Sequence, residues 1–239
     1  MLPTFFLRKG DFSVRQDDMF FEFYFDMLGV QRAKLTRAVK SKIQPNVVIP
    51  AFVGGIPVCT ICPDAFAGCK AIESIEFPES IDAIHARAFK DCANLKTVTS
   101  YGSGFIMPAV YMNIYASVFH NCVQLVKFQS TVPIRTLESF AFKNCRALTE
   151  LDAKIKIFES AVFENCNELS KVIIDDKGTW KPNSFAYAKK LKVLVMKNTV
   201  DVSQSALRTI KNKSILCTEK FNHLELAYEG AKLCISDDV

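Results

Sequence analysis

Ala65-Phe66-Ala67-Gly68-Cys69-Lys70-Ala71-Ile72-Glu73-Ser74-Ile75-Glu76-Phe77-Pro78 decides the fold, because its skeleton returns along the chain. Six times a Phe is followed three residues later by a small residue, usually Cys, and three further on by Leu or Ile. The runs are Phe66-Cys69-Ile72, Phe89-Cys92-Leu95, Phe119-Cys122-Leu125, Phe142-Cys145-Leu148, Phe163-Cys166-Leu169 and Phe185-Ala188-Leu191. The Phe positions lie 23, 30, 23, 21 and 22 residues apart. A fixed period of this size marks a repeat protein, each unit one turn of a stacked coil.

The period holds in columns that do not use the Phe. Five residues before each anchor stands an apolar residue: Ile61, Ile84, Ile114, Leu137, Phe158 and Trp180, with Val202 continuing the series. Eight before it the column reads Val58, Ile81, Tyr111, Ile134 and Ile155, then fails at Lys177 and Thr199. Three residues after each Leu or Ile come Ile75, Val98, Phe128, Leu151, Val172 and Leu194. The Leu-x-x-Ile-x-apolar segment alternates at its end as a strand with one buried face does. Apolar residues every three positions in Ala-Phe-x-x-Cys-x-x-Leu suit one or two helical turns. One unit cannot bury its apolar stripe alone; stacked units can, Phe on Phe and Ile on Ile. The strands then form a parallel ladder, since every unit climbs in the same direction.

These columns resemble the BspA-like branch of the leucine-rich repeats, whose units carry an Ala-Phe-x-x-Cys-x-x-Leu core followed by an Ile-x-Ile-Pro strand. Residues 65–78 and 88–98 carry the match, and Val47-Val48-Ile49-Pro50 resembles the strand end of an earlier, partial unit. Most later strands lack the terminal Pro. The resemblance covers roughly residues 47–216. It implies an α/β repeat solenoid: a leucine-rich-repeat right-handed superhelix with a parallel strand ladder of about seven units, capped at both ends. It also implies a curved surface that binds other macromolecules, often at a cell surface in bacteria and parasitic protists. The expected organisation is an N-terminal cap over residues 1–46, the solenoid over 47–216 and a C-terminal cap over 217–239.

Composition agrees with one continuous core: 49% of the 239 residues are apolar. No run approaches the ~18 apolar residues that span a bilayer. The opening residues 1–10 carry an apolar patch too short for a signal peptide, with no basic segment before it. The expected location is therefore cytoplasmic, with secretion lacking a standard signal peptide as the alternative.

Of nine cysteines, Cys69, Cys92, Cys122, Cys145 and Cys166 share one repeat column and should point inward as small apolar side chains in a reducing compartment. Cys59-x-x-Cys62, with Cys69 nearby, lacks a fourth zinc ligand. No metal and no other cofactor is expected. His85, His120 and His223 are widely separated and outside any metal or triad motif. The chain has no phosphate loop and no nucleophile elbow, so an enzyme is not expected.

Two ends and one insertion break the period. Residues 5–7 and 12–14 suggest a hairpin, and Phe21, Phe23 and Phe25 alternate with Glu22, Tyr24 and Asp26, which favours a third strand with a helix as the near alternative. From Leu28 to Ile43, Leu28, Leu35, Val39 and Ile43 keep helical spacing, which predicts a helix carrying Arg32, Lys34, Arg37, Lys40 and Lys42 with no acid among them. Such a helix is the solvated face of a cap or, alternatively, a patch for nucleic acid or anionic lipid. Phe221, Leu224, Leu226 and Tyr228 are expected to close the other end.

The unit between Phe89 and Phe119 is seven residues longer than its neighbours, and the surplus is expected within residues 100–108. There Tyr101, Phe105, Ile106 and Met107 offer apolar contact surface. Two outward columns line the ladder. One reads Ser74, Thr97, Lys127, Glu150, Lys171 and Val193; the other Glu76, Thr99, Gln129, Asp152, Ile173 and Val195. They turn from polar to aliphatic toward the C-terminus, a change expected either of a partner site or of a face covered by the C-terminal tail. The sequence therefore predicts a non-enzymatic scaffold that binds a protein partner through the ladder face and the inserted loop. The alternatives are an exported host-interaction factor or adhesin, or a nucleic-acid or anionic-lipid binder using the basic helix.

Overall fold

The computed structural model describes residues 13–102 and 109–174, with five later strands, and side chains over the stretch 14–170 apart from 103–108 and Glu150. Two sheets enclose a single core. The first runs β1 (Ser13–Gln16), β2 (Met19–Phe25), β3 (Gln31–Ala38), β6 (Ile56–Ile61), β8 (Ala83–Ile84), β10 (Met112–Ile114), β12 (Ile134–Leu137), β14 (Ile155–Phe158), β16 (Thr179–Trp180) and β18 (Asp201–Val202), with β5 (Phe52–Val53) folded back on β6. The second runs β4 (Asn46–Val48), β7 (Ser74–Pro78), β9 (Thr97–Tyr101), β11 (Lys127–Gln129), β13 (Glu150–Asp152), β15 (Lys171–Ile174), β17 (Val193–Met196), β19 (Ser214–Cys217) and β20 (Lys232–Ile235), every pair parallel.

The apolar columns are the registers of these sheets. In the second, Val47, Ile75, Val98, Phe128, Leu151, Val172 and Leu194 pair in series and continue to Ile215 and Leu233. The expected ladder and the early partial unit at Val47 are thus both present. In the first sheet Ile61, Ile84, Ile114, Leu137, Phe158, Trp180 and Val202 pair the same way. That second ladder was not assigned from sequence, because strands of two to four residues carry too little alternation to read. One column member is corrected. Met112, not Tyr111, is the buried partner of Ile134, and a register shift follows it.

Helices do not form among the described residues, which corrects the helical part of the expected fold. The Ala-Phe-x-x-Cys segment is a run of turns. Cys92 N–H donates to Phe89 O (3.2 Å) and Lys90 N–H to Arg87 O (3.0 Å), the three-residue closure that set the spacing. The alternate N–H groups leave the unit: those of Arg87, Phe89 and Asp91 donate to Ala116, Val118 and His120 of the next turn. A helix would need those same donors for itself. Positive φ two residues either side of each Phe aims them outward. Arg87 stands at 60° and Asp91 at 61°, Ser117 at 58° and Asn121 at 63°. Gly68, Asp91, Asn121, Asn144 and Asn165 fill the second position, the residue types that tolerate it best. Their side chains form a ladder of their own: Asn121 donates to Asp91 (2.8 Å), Asn144 to Asn121 (2.7 Å) and Asn165 to Asn144 (2.9 Å).

The Phe rings stack between units, at 5.0 Å for Phe66–Phe89, 5.4 Å for Phe89–Phe119, 5.0 Å for Phe119–Phe142 and 5.7 Å for Phe142–Phe163. All five are buried, and burial of each stabilises by about 1.5–3 kcal/mol. Beside them Cys92, Cys122, Cys145 and Cys166 each donate a thiol hydrogen to the preceding unit's Phe carbonyl, at 3.1 Å. Cysteine suits this column because it is small and apolar yet carries a weak donor. Burial pushes the thiols up, Cys92 to about 12 and Cys122 and Cys145 well above their ordinary value. The anchors Phe185, Ala188 and Leu191, the predicted strand at residues 5–7, and Phe221, Leu224, Leu226 and Tyr228 lie outside the described residues.

At the N-terminus the basic helix is corrected to a strand. Residues 19–25 form the expected strand β2, entered through a two-residue turn at Asp17 and Asp18 with φ of 49° and 61°, the geometry of a type I′ hairpin. The next segment, β3, pairs antiparallel with β2 and parallel with β6, extending the first ladder. Ala33 and Leu35 alternate inward; Arg32 and Lys34 face out. The acids that sequence spacing did not place beside these cations arrive from the neighbouring chain direction, with Glu22 opposite Lys34.

Candidate functional site

Four surfaces bear on function. The outward columns of the second sheet lie in continuous register from β7 to β11, with Ser74, Thr97 and Lys127 in one line and Glu76, Thr99 and Gln129 in the next. Lys127 pairs with Glu150, Gln129 with Asp152, Glu150 with Lys171, Lys171 with Val193 and Ile173 with Val195. Gln129 Nε2 donates to Asp152 Oδ2 at 3.1 Å, and Ser74 Oγ to Asn46 Oδ1 at 2.8 Å. Glu76 and Asp152 are exposed; Lys127 and Gln129 are half-buried. The side chains of Glu150, Lys171, Ile173, Val193 and Val195 lie outside the described residues, and so does the expected change to an aliphatic face.

The inserted loop begins later than its sequence suggests. Ser100 and Tyr101 belong to β9, opposite Phe77 and Pro78. Tyr101 is half-buried, and its hydroxyl donates to Ile49 O at 2.8 Å, tying β9 across to the early partial unit. Phe105, Ile106 and Met107 lie outside the described residues.

The basic residues are distributed rather than pooled. Arg32 Nε donates to Asp26 Oδ2 at 2.6 Å and its Nη1 lies 3.1 Å from Cys59 Sγ. Lys34 pairs with Glu22 at 3.0 Å, and the Arg37 guanidinium sits 4.2 Å over the Phe20 ring. Lys40 donates to Ala67 O, and Lys42 is exposed. The Arg32 hydrogen bond, aided by backbone N–H groups, holds the Asp26 carboxyl below its usual range.

A groove that sequence reasoning missed lies on the first sheet. It measures about 660 Å³ and runs from Leu28 and Val30 at the β2–β3 turn, past Arg32, Asp82 and Asn113, to Tyr111 and Arg135. Arg135 and Lys156 approach the Tyr111 ring at 5.1 and 5.7 Å. Burial raises the Asp82 carboxyl above its usual value, against the pull of Arg32. Nearby, His85 stacks on Tyr115 at 4.5 Å, and desolvation holds the His85 imidazole below its ordinary value. The signal for the groove was the residue pair separating inward positions, Arg135-Thr136 or Lys156-Ile157, which places long cations on the outer face. Cys59, Cys62 and Cys69 do not converge; among the described residues no group of three or more His, Cys, Asp or Glu is placed to hold a metal ion. His223 lies outside the described residues.

A BspA-type leucine-rich repeat region matches residues 55–106 and 112–228 in six copies. No curated protein matches the chain. Among solved structures, a leucine-rich repeat protein of T. pallidum superposes with a TM-score of 0.60 at 21% identity, over 76% of this chain and 83% of that one. A leucine-rich repeat protein from Bacteroides capillosus gives 0.42 at 23% identity, covering 69% and 99%. A leucine-rich cell surface protein from Faecalibacterium prausnitzii gives 0.40 at 14%, covering 81% and 73%. The T. pallidum likeness is one of fold. With its columns realised as stacked registers and the repeat matched over most of its length, this chain belongs to the BspA-type leucine-rich repeat family.

Proposed function

We propose that the chain is a non-enzymatic interaction scaffold that binds a protein partner across the outer face of the second sheet. The contact is centred on Lys127, Gln129, Glu150 and Asp152 and extends to Lys171, Ile173, Val193 and Val195. The inserted loop, with Phe105, Ile106 and Met107, supplies a second contact element. The observation that carries this reading is the unbroken parallel register of nine strands, which lines up corresponding residues in straight columns at a repeat of about 4.8 Å. Such a surface suits an extended macromolecular contact, and repeat families bind through surfaces of this kind. Charge alternates along it, with Lys127 beside Glu150 and Glu150 beside Lys171, an arrangement that favours orientation over bulk attraction.

Affinity capture with the full chain tests the proposal against two variants, Lys127→Glu with Asp152→Lys, and deletion of residues 101–107. The expected result is a partner recovered by the parent chain and lost with the double charge reversal. Equal recovery from the charge-reversed face would sink the ladder reading; equal recovery after the deletion removes the loop alone.

A further inference from the structure

Apolar side chains at the β2–β3 turn stand in water although the backbone beneath them is tightly fixed. Met27 is 103% exposed, Leu28 87% and Val30 49%. Asp26 Oδ1 accepts from Leu28 N–H and Val30 N–H, both at 2.9 Å. Asp26 N–H donates to Val30 O at 2.9 Å, and Gly29, at φ 74°, donates to Asp26 O at 3.0 Å. A turn whose shape is set by so many bonds holds its apolar groups out instead of folding them inward, and pre-organisation of that kind lowers the ordering cost of binding. Across the groove Val110 repeats the pattern at 77% exposure.

The far end of the groove is cationic. Arg135 and Lys156 both rest against Tyr111, and among the described residues neither is paired with a carboxylate. Of the nearby acids, Asp26 is engaged by Arg32 and Glu22 by Lys34, while Asp82 lines the middle of the groove, bonded to Thr60 and facing Arg32 rather than the Tyr111 end. Two like charges held at one ring gain most from a shared anion. From β3 to β12 the sheet takes four strand steps, roughly 19 Å at about 4.8 Å each. An extended chain covers that span with about six residues.

We propose that this groove binds an extended peptide segment of a partner protein, seating a bulky apolar side chain against Leu28 and Val30 and an Asp or Glu four to six residues away on Arg135 and Lys156. Charge complementarity and the length of the groove select this occupant. The site is separate from the ladder face of the second sheet, so either reading can fail without the other.

The test pans a random twelve-residue peptide library displayed on phage against the full chain. Enriched peptides are expected to carry an acid four to six residues from Leu, Ile, Met or Phe. A synthetic, fluorescently labelled member should bind with anisotropy that weakens about tenfold or more for Arg135→Glu/Lys156→Glu, and by a similar factor for Leu28→Ser/Val30→Ser. A peptide with Lys in place of its acid should recover binding to the charge-reversed variant, which a merely misfolded variant would not allow. Failure to enrich any peptide, enrichment without an acid, or indifference to both variants overturns the proposal. So does a concentration-dependent dimer abolished by Leu28→Ser/Val30→Ser, which would assign the face to a second copy of the chain.

Discussion

The stacked Phe–Cys turns and the N-terminal strands β1, β2 and β3 share one core but are held by different means. In the stack every device is repeated. Phe119 has a Phe on each side, Asn144 an amide on each side, and each thiol finds the same carbonyl one unit back. In the hairpin every device occurs once: the Asp17-Asp18 turn, the Asp26 cap and the Arg32–Asp26 pair. Repetition makes the stack's register hard to lose, because a slip would unseat all columns together. The hairpin's register rests on single local choices, each replaceable.

The largest effect should come from breaking the stack at its middle. Phe119→Ala removes a fully buried ring with two stacked neighbours and should cost about 3–5 kcal/mol in denaturant unfolding. A loss well under 1 kcal/mol would mean the units fold independently, and the contrast drawn here would fail. A smaller effect of opposite sign is expected in the hairpin. Replacing Asp17-Asp18 by Asn-Gly supplies the residues that a type I′ turn prefers, at the expense of the exposed Arg15–Asp18 pair. The expected gain is roughly 0.5–1 kcal/mol, seen as slower hydrogen exchange confined to residues 13–38. Protection spreading into the Phe column would show the two regions to be one cooperative unit.

The smallest effect is a pH dependence within the stack. Burial, with Lys90 and Lys143 close by, holds the His120 imidazole below its ordinary value of 6.5. The unfolded chain therefore binds the proton more readily. Stability is complete above that value and falls as pH drops from about 6.5 toward the folded value. His120→Gln should flatten the decline of melting temperature between pH 7 and 5; an unchanged slope would remove His120 as its source.

What the sequence made legible follows the same division. The columns at Phe66, Cys69, Ile72 and Ile75 were readable because identical side chains recur wherever identical units stack. The spacing of three residues also fits a helix, and only the destination of the Phe89 and Asp91 N–H groups, one unit away, decides for turns. Leu28, Leu35, Val39 and Ile43 fit a helical stripe, but Leu35 is buried because β6 lies beside it and Leu28 is exposed at a turn. Pairing with a strand more than twenty residues away leaves no local trace. Tyr111 failed for a related reason: the shift after Met112 changes which residue faces in. The groove was missed because its walls come from β3, β6, β8, β10 and β12, which topology brings together, while the outward Arg135 and Lys156 were its one local sign.

The long unit has an engineering consequence. Seven extra residues enter between Tyr101 and Met112, yet the rings on either side, Phe89 and Phe119, remain 5.4 Å apart and only 5° from parallel. The stack thus tolerates added length at this corner without losing its ring spacing. An epitope or reporter spliced there is expected to leave the rings on either side in register, so this corner is the place to graft cargo.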